Sequence, residues 1–167
     1  VQVLAKDAQG MIDDAHRLLD KIDDKIYPKI PTTEAGLEAM RTLKEEGVKV
    51  TATAIYSKTQ GFLAIASGVD YLAPYYNRMQ SIDIDTRGTL AALAGFIQRF
   101  DAPSKIMAAS FKNISQVSHA LESGADAVTL SPKLLRQALS APDILGAVDD
   151  FISDWKSVYG TKTLPED

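Results

Sequence analysis

VKVTATAIYSKTQGFLAIASGVDYLAP, residues 48–74, contains one full cycle of the architecture. VKVTATAI (48–55) is a short run of β-branched and apolar residues and reads as a strand. SKTQGFLAIASG (57–68) reads as a helix, and DYLAP (70–74) as the next strand. Two strands joined through a helix with short connections read as a parallel pair, because parallel neighbours need such a crossover and cannot be joined by a tight hairpin.

The same alternation extends in both directions. Upstream, VQVL (1–4) reads as a strand. The amphipathic stretch 7–22 sets Met11, Ala15, Leu18, Leu19 and Ile22 on one side of a helix. YPKI (27–30) is a strand, and 34–47 a helix with Leu37, Met40 and Leu43 three apart and a glycine cap. Downstream, a polar loop at 77–85 precedes a helix at 86–100, a strand at 104–110, a helix at 114–124 and a strand at 125–130. Helices at 132–140 and 142–158 follow, and the polar tail GTKTLPED is expected to be loose. Six strands, each followed by a helix at about 28 residues per unit, imply a parallel sheet covered by helices. No internal repeat goes beyond this periodicity. No linker divides the chain, so residues 1–167 are expected to form one domain.

Two α/β architectures fit: an open doubly wound sheet, and a (β/α)8 barrel, which commonly takes roughly 250 residues. The chain opens directly inside VQVL. That start predicts a preceding N-terminal piece of roughly 50 residues, two β/α units that bring six to eight.

Composition narrows the chemistry. Hydrophobic residues make up 46% of the 167, which suits an ordinary globular core. The formal net charge is −4, with no basic footprint for nucleic acid. Cysteine is absent, which excludes disulfides, thiolate catalysis and Cys-ligated metals and leans towards an intracellular, cytoplasmic protein. No apolar run is long enough to span a membrane, and no secretory signal is present. No GxGxxG follows a strand and no GxxxxGK[ST] occurs, so no dinucleotide or P-loop site is expected. The only histidines, His16 and His119, each lie inside a helix and make a poor metal set. No cofactor is expected.

In a barrel the C-terminal strand ends carry the chemistry. Those ends supply Gln2, Lys29, Thr51 and Thr53, Ala73 with Tyr75, Ala109 with Ser110, and Thr129, with Arg78 in the following loop. The set has an amine, a phenol, an amide, hydroxyls and a guanidinium, but no carboxylate. It is poorly suited to glycoside hydrolysis, which uses two carboxylates, and workable for amine catalysis on a carbonyl. Lys29 lies in IYPKIPTTEAG (26–36), an apolar strand just before a helix cap. A lysine attacks a ketone only when neutral, and apolar neighbours disfavour the charged form. Tyr75 and Thr53 can then move or position protons, with Gln2 orienting a water. Arg78 and Ser110 suit a phosphate, through a planar fork of donors and a hydroxyl.

KIPTTEAGLEAMRTLKEEGVKVTATAIY, GVDYLAPYYNRM, KIMAASFKN and FISDWKSVYG, in this order, resemble the small transaldolase family, and most of all its fructose-6-phosphate aldolase branch. The K-[IV]-P-x-T-x-x-G motif of residues 29–36 is the most specific part. The resemblance implies a (β/α)8 barrel of the class I aldolase type, with the catalytic lysine on the fourth strand. It implies that Lys29 is the Schiff-base lysine, Tyr75 the acid/base, and that Thr53 and Gln2 hold the catalytic water. Arg78 and Ser110 would bind the substrate phosphate. Gln2 and Tyr75 stand where true transaldolases tend to carry Glu and Phe, which favours aldolase over the transaldolase of the pentose phosphate pathway. The helix around Trp155 resembles a segment that packs on a neighbouring subunit, and relatives of this size commonly form decamers of stacked pentamers. Thr51 replaces a leucine of the aldolases, and Tyr27 and Pro28 replace valines. A non-catalytic, ring-forming sugar-phosphate-binding or scaffold protein is the rival reading.

Overall fold

The structure is a computed structural model that describes residues 1–140 and 142–164. The chain divides into two compact units, Val1–Leu130 and Ser131–Asp167.

The first unit is a parallel sheet with helical crossovers. Its elements run α1 (Ala8–Lys21), β1 (Lys29–Pro31), α2 (Glu34–Glu45), β2 (Thr51–Ile55), α3 (Lys58–Ala66), β3 (Tyr71–Pro74), α4 (Tyr76–Ser81), α5 (Thr86–Arg99), β4 (Lys105–Ala108), α6 (Ile114–Glu122) and β5 (Ala127–Val128). The sheet order is β1-β2-β3-β4-β5, all parallel. The order never reverses. Right-handed crossovers in one direction put every helix on the same face, whereas a doubly wound sheet needs a point where the order turns back.

That one-sidedness is visible in the register. Ile30, Ala52, Leu72 and Ile106 are aligned across four strands, all fully buried in the core with Met40, Leu43 and Leu93 from the helices. Their chain neighbours Lys29, Thr51, Tyr71 and Lys105 form the aligned row on the opposite face. On that face a cavity of about 470 Å³ is lined by Val1, Ile26, Tyr27, Lys29, Thr51, Tyr71 and Met107.

Several expectations change. The first strand reduces to a parallel bridge between Gln2 and Lys29, so among the described residues five strands stand where six were expected. The strand at 27–30 starts instead at Lys29, because Pro28 has no N–H to give to a ladder. Its carbonyl still accepts from Thr51 N at 3.0 Å. The strand at 125–130 shortens to Ala127–Val128. The polar loop at 77–85 contains a helix, α4, because Tyr76 and Met79, one turn apart, are both buried. Its first N–H groups are met by the carbonyls of Ala109 (2.8 Å) and Ser110 (3.1 Å).

A recurrence also exists that strand-and-helix periodicity does not reveal. Two β/α units repeat the same local devices at one constant spacing. Val50 and Ile106 donate their N–H to Asp70 and Asp126, at 2.8 and 2.7 Å. Ala54 and Ser110 take positive φ, 55° and 69°. Ser57 and Asn113 cap α3 and α6 by accepting from the N–H of Gln60 and Gln116. Gly68 and Gly124 end those helices at positive φ, where a side chain would be strained.

The second unit holds α7 (Pro132–Leu139), capped by Ser131 with Pro132 in its first turn, and α8 (Pro142–Tyr159). Trp155 packs on Tyr159 and donates its indole N–H to the Lys162 carbonyl at 2.7 Å. The start of the tail is therefore tied to α8 rather than loose, while residues 165–167 lie outside the described residues. Ile144, Leu145, Val148, Phe151 and Ile152 of α8 are exposed. Among the described residues no helix is long and apolar enough to cross a membrane.

Candidate active site

Lys29 is fixed through its backbone on the edge facing the chain start. Its N–H donates to Val1 O at 2.7 Å and its carbonyl accepts from Val3 N at 3.2 Å. Pro31 and the first turn of α2 then lie so close that a Cβ on Gly36 would come within 1.9 Å of the Pro31 carbonyl. Only glycine fits there, which explains the last position of the K-I-P-T-T-x-x-G stretch. The half-buried Lys29 side chain makes no ion pair among the described residues.

Lys29 is in register with Thr51, so Thr53 stands two residues, roughly 7 Å, further along the same face. The lysine side chain brings Nζ to 5.9 Å from the centre of the Tyr75 ring. The Thr53 hydroxyl, on a residue 1% exposed, donates to the Tyr75 hydroxyl at 3.1 Å. The Arg78 guanidinium lies 4.8 Å from the same ring, and its Nη1 donates to the Tyr56 hydroxyl at 2.9 Å. That hydrogen bond pushes the Arg78 pKa upward, so the guanidinium stays charged at any working pH. One N–H is spent on Tyr56, and the rest of the fork remains for an anion. Tyr56 also meets the Tyr75 ring edge-on at 5.6 Å. The adjoining tyrosines divide: Tyr75 faces this cluster, and Tyr76 is buried against Phe111.

The sequence-derived residues thus fall into groups. Lys29, Thr53, Tyr75 and Arg78 converge. Gln2 is the bridge partner of Lys29, but its amide donates to the neighbouring Val3 carbonyl at 3.1 Å. Ser110 is attached to α4 through its carbonyl and the Asn77 N–H, one residue before Arg78. The backbone N–H groups that follow Ser110 at the start of α6 are partly committed, Lys112 N to Gln116 and Gln116 N to Asn113. Tyr56 and Gln60 were not singled out from the sequence. The available signal was the S-x-x-Q spacing of Ser57 and Gln60, a helix-start pattern. Among the described residues no cluster of three or more His, Cys, Asp or Glu could hold a metal.

A lysine amine among apolar groups, within reach of paired hydroxyls at one end of a parallel sheet, suits an enzyme that handles carbonyl compounds through an imine. Comparison with known proteins is more specific. The Transaldolase/Fructose-6-phosphate aldolase family model matches residues 1–161, and the chain belongs to that family, an enzyme family of class I aldolases. A probable fructose-6-phosphate aldolase of Streptococcus pneumoniae (strain ATCC 700669 / Spain 23F-1) is 48% identical over 164 residues, covering 98% of this chain and 74% of the relative. Among solved structures, GMP reductase C318A from Trypanosoma brucei, in complex with guanosine 5'-monophosphate, superposes with a TM-score of 0.59 at 19% identity. The match covers 80% of this chain and 30% of that one, and it speaks to the fold alone.

Proposed function

We propose that the chain is part of a Schiff-base aldolase that cleaves or forms fructose 6-phosphate from dihydroxyacetone and glyceraldehyde 3-phosphate. The observation that carries this reading is the placement of Lys29 Nζ 5.9 Å from the centre of the Tyr75 ring, whose hydroxyl accepts from Thr53. The Lys29 amine adds to the ketose carbonyl, and the carbinolamine loses water to give an iminium. Tyr75, held by Thr53, accepts the proton of the hydroxyl on the carbon to be released as it passes its own phenol proton to the water held by Gln2, which later protonates the enamine carbon. The electron pair of the breaking C–C bond moves into the iminium and leaves an enamine. The aldehyde departs with its phosphate on Arg78 and Ser110. Protonation of the enamine carbon and hydrolysis of the imine return dihydroxyacetone and the free amine. Gln2 holds the water of these steps once its amide turns from Val3.

The one-directional strand order and one-sided helices favour the singly wound arrangement, which we extend to a (β/α)8 barrel with its further strands outside the five described. The exposed apolar face of α8 suits a second copy of the chain, in line with a pentameric or decameric assembly.

Release of glyceraldehyde 3-phosphate from fructose 6-phosphate by the full-length protein tests the reading. Steady release with no other sugar present supports the aldolase. Release only when erythrose 4-phosphate is added would make the protein a transaldolase. No release under either condition would favour a non-catalytic sugar-phosphate-binding ring.

A further inference from the structure

Thr53 sits at the start of an irregularity. The pairing of β2 with β3 shifts register between Ala52 and Ile55, and Ala54 takes φ +55° inside the strand. A non-glycine residue there is strained and persists only where its surroundings hold it. Bulges of this kind re-aim side chains at strand ends.

One side chain spans the irregularity. Gln60, the third residue of α3, accepts the Tyr56 N–H on Oε1 at 3.0 Å. Its Nε2 donates to the Thr32 carbonyl at 3.1 Å and, at a longer 3.4 Å, to the Ala54 carbonyl. Thr32 in turn donates both its N–H and its hydroxyl to the Thr53 carbonyl, each at 2.9 Å. A single amide therefore ties the loop after the Lys29 strand, the bulge after Thr53, and the backbone of Tyr56, which holds Arg78.

The same device recurs two units on, where it serves another partner. Gln116 accepts the Lys112 N–H at 2.8 Å beside the positive-φ Ser110. Its Nε2 donates to Asn77 and Gln80 of α4 at 3.0 and 2.7 Å. A helix-start glutamine beside a left-handed residue is thus a built feature of the fold. Only at Gln60 does it join the strand ends that carry Lys29 and Thr53.

We propose that Gln60 is a positioning residue of the active site: it holds the Ala54 bulge so that the Thr53 hydroxyl meets Tyr75 and Tyr56 meets Arg78. The proposal rests on the Schiff-base reading of Lys29. Gln60→Met removes both ends of the clasp at similar size. Turnover number for ketose phosphate cleavage is expected to fall about a hundredfold, as misplacement of about 1 Å does, with KM changed less than the turnover number. Borohydride trapping of dihydroxyacetone on Lys29 should still go to completion, because the amine itself is untouched. Ala54→Gly in the Gln60→Met background should recover part of the lost turnover, since glycine takes the left-handed conformation without a clasp. If Gln60→Met does not fold, Gln60→Glu carries the same test. It keeps the acceptor for Tyr56 and loses the donor to Thr32 and Ala54, so turnover should again fall.

Turnover unchanged in the folded variant overturns the proposal. So does a fall in turnover and in trapping together, in proportion to folded protein, with no recovery from Ala54→Gly. If the wild-type protein itself traps no dihydroxyacetone on Lys29, the Schiff-base reading fails and the role of Gln60 falls with it.

Discussion

Lys29 and Ile30 are neighbours in the chain and have opposite uses. Ile30 begins the row Ile30–Ala52–Leu72–Ile106, all at 0% exposure beneath the helices. Lys29 begins the row Lys29–Thr51–Tyr71–Lys105 on the other face, where Lys29, Thr51 and Tyr71 line the cavity and Lys105 is exposed. The first row is interchangeable in kind, since any apolar side chains of the right volume can fill it. In the second, the proposed chemistry belongs to Lys29 alone and needs its amine. Stability and chemistry are separated here by the two-residue period of a strand, and substitutions on the two faces should separate them in experiment.

The widest separation should come from Lys29→Arg. Turnover is expected to drop to background, because a guanidinium cannot form the imine, while the melting temperature and assembly stay near those of the wild type. Retained turnover would place the chemistry elsewhere. Tyr75→Phe should lower the turnover number for cleavage by about 10²–10⁴, the usual worth of a proton-transferring group, with KM moved little. A raised KM at unchanged turnover number would assign Tyr75 to binding instead.

The other face answers in the other coordinate. Leu72→Ala should cost about 2–5 kcal/mol in a denaturant titration, from lost burial and the cavity left behind. Each molecule that remains folded should still trap dihydroxyacetone on Lys29. Arg78→Gln should weaken phosphorylated substrates by about 10-fold or more, the worth of a charge-assisted hydrogen bond. It should leave the addition of unphosphorylated dihydroxyacetone nearly unchanged, a comparison read directly from KM values.

The smallest effect is a pH dependence at the sheet edge. Asp14 accepts the N–H groups of Leu4 and Ala5 at 2.8 and 2.9 Å, tying the segment after Gln2 to α1. Those backbone hydrogen bonds hold its carboxyl below the ordinary 3.8. A lowered folded value means the contribution is complete above pH 3.8 and is lost as pH falls through the lower folded value. Acid titration of hydrogen exchange at Leu4 and Ala5 should show these amides opening in that window. Asp14→Asn should flatten the profile, and an unchanged profile in that variant would remove Asp14 as the cause.

The parts of this division that were legible in the sequence are those with a period. Alternating apolar runs and helical stripes locate α1, α2, α3, α5 and α6, and the apolar setting of Lys29 between Ile26, Tyr27 and Ile30 singles it out in the sequence. Strand lengths were not legible, because a ladder ends where its partner ends: VQVL keeps only the bridge at Gln2. The helix α4 was hidden by polar neighbours, although Tyr76 and Met79 lie one turn apart. The Ala54 bulge had no signal at all, since alanine gives no hint of a left-handed conformation that is imposed by Gln60 and Thr32 from two other segments. The Tyr56–Arg78 hydrogen bond was equally invisible, because it joins residues that only the sheet brings together.

The proposed reaction depends on a covalent bond between Lys29 and substrate. The most direct test is to incubate the full-length protein with dihydroxyacetone and borohydride, weigh the intact product, and map the modified peptide. A single reduced dihydroxyacetone adduct on Lys29, absent from Lys29→Arg, is expected. An unmodified protein, or an adduct on another lysine that persists in Lys29→Arg, would contradict it.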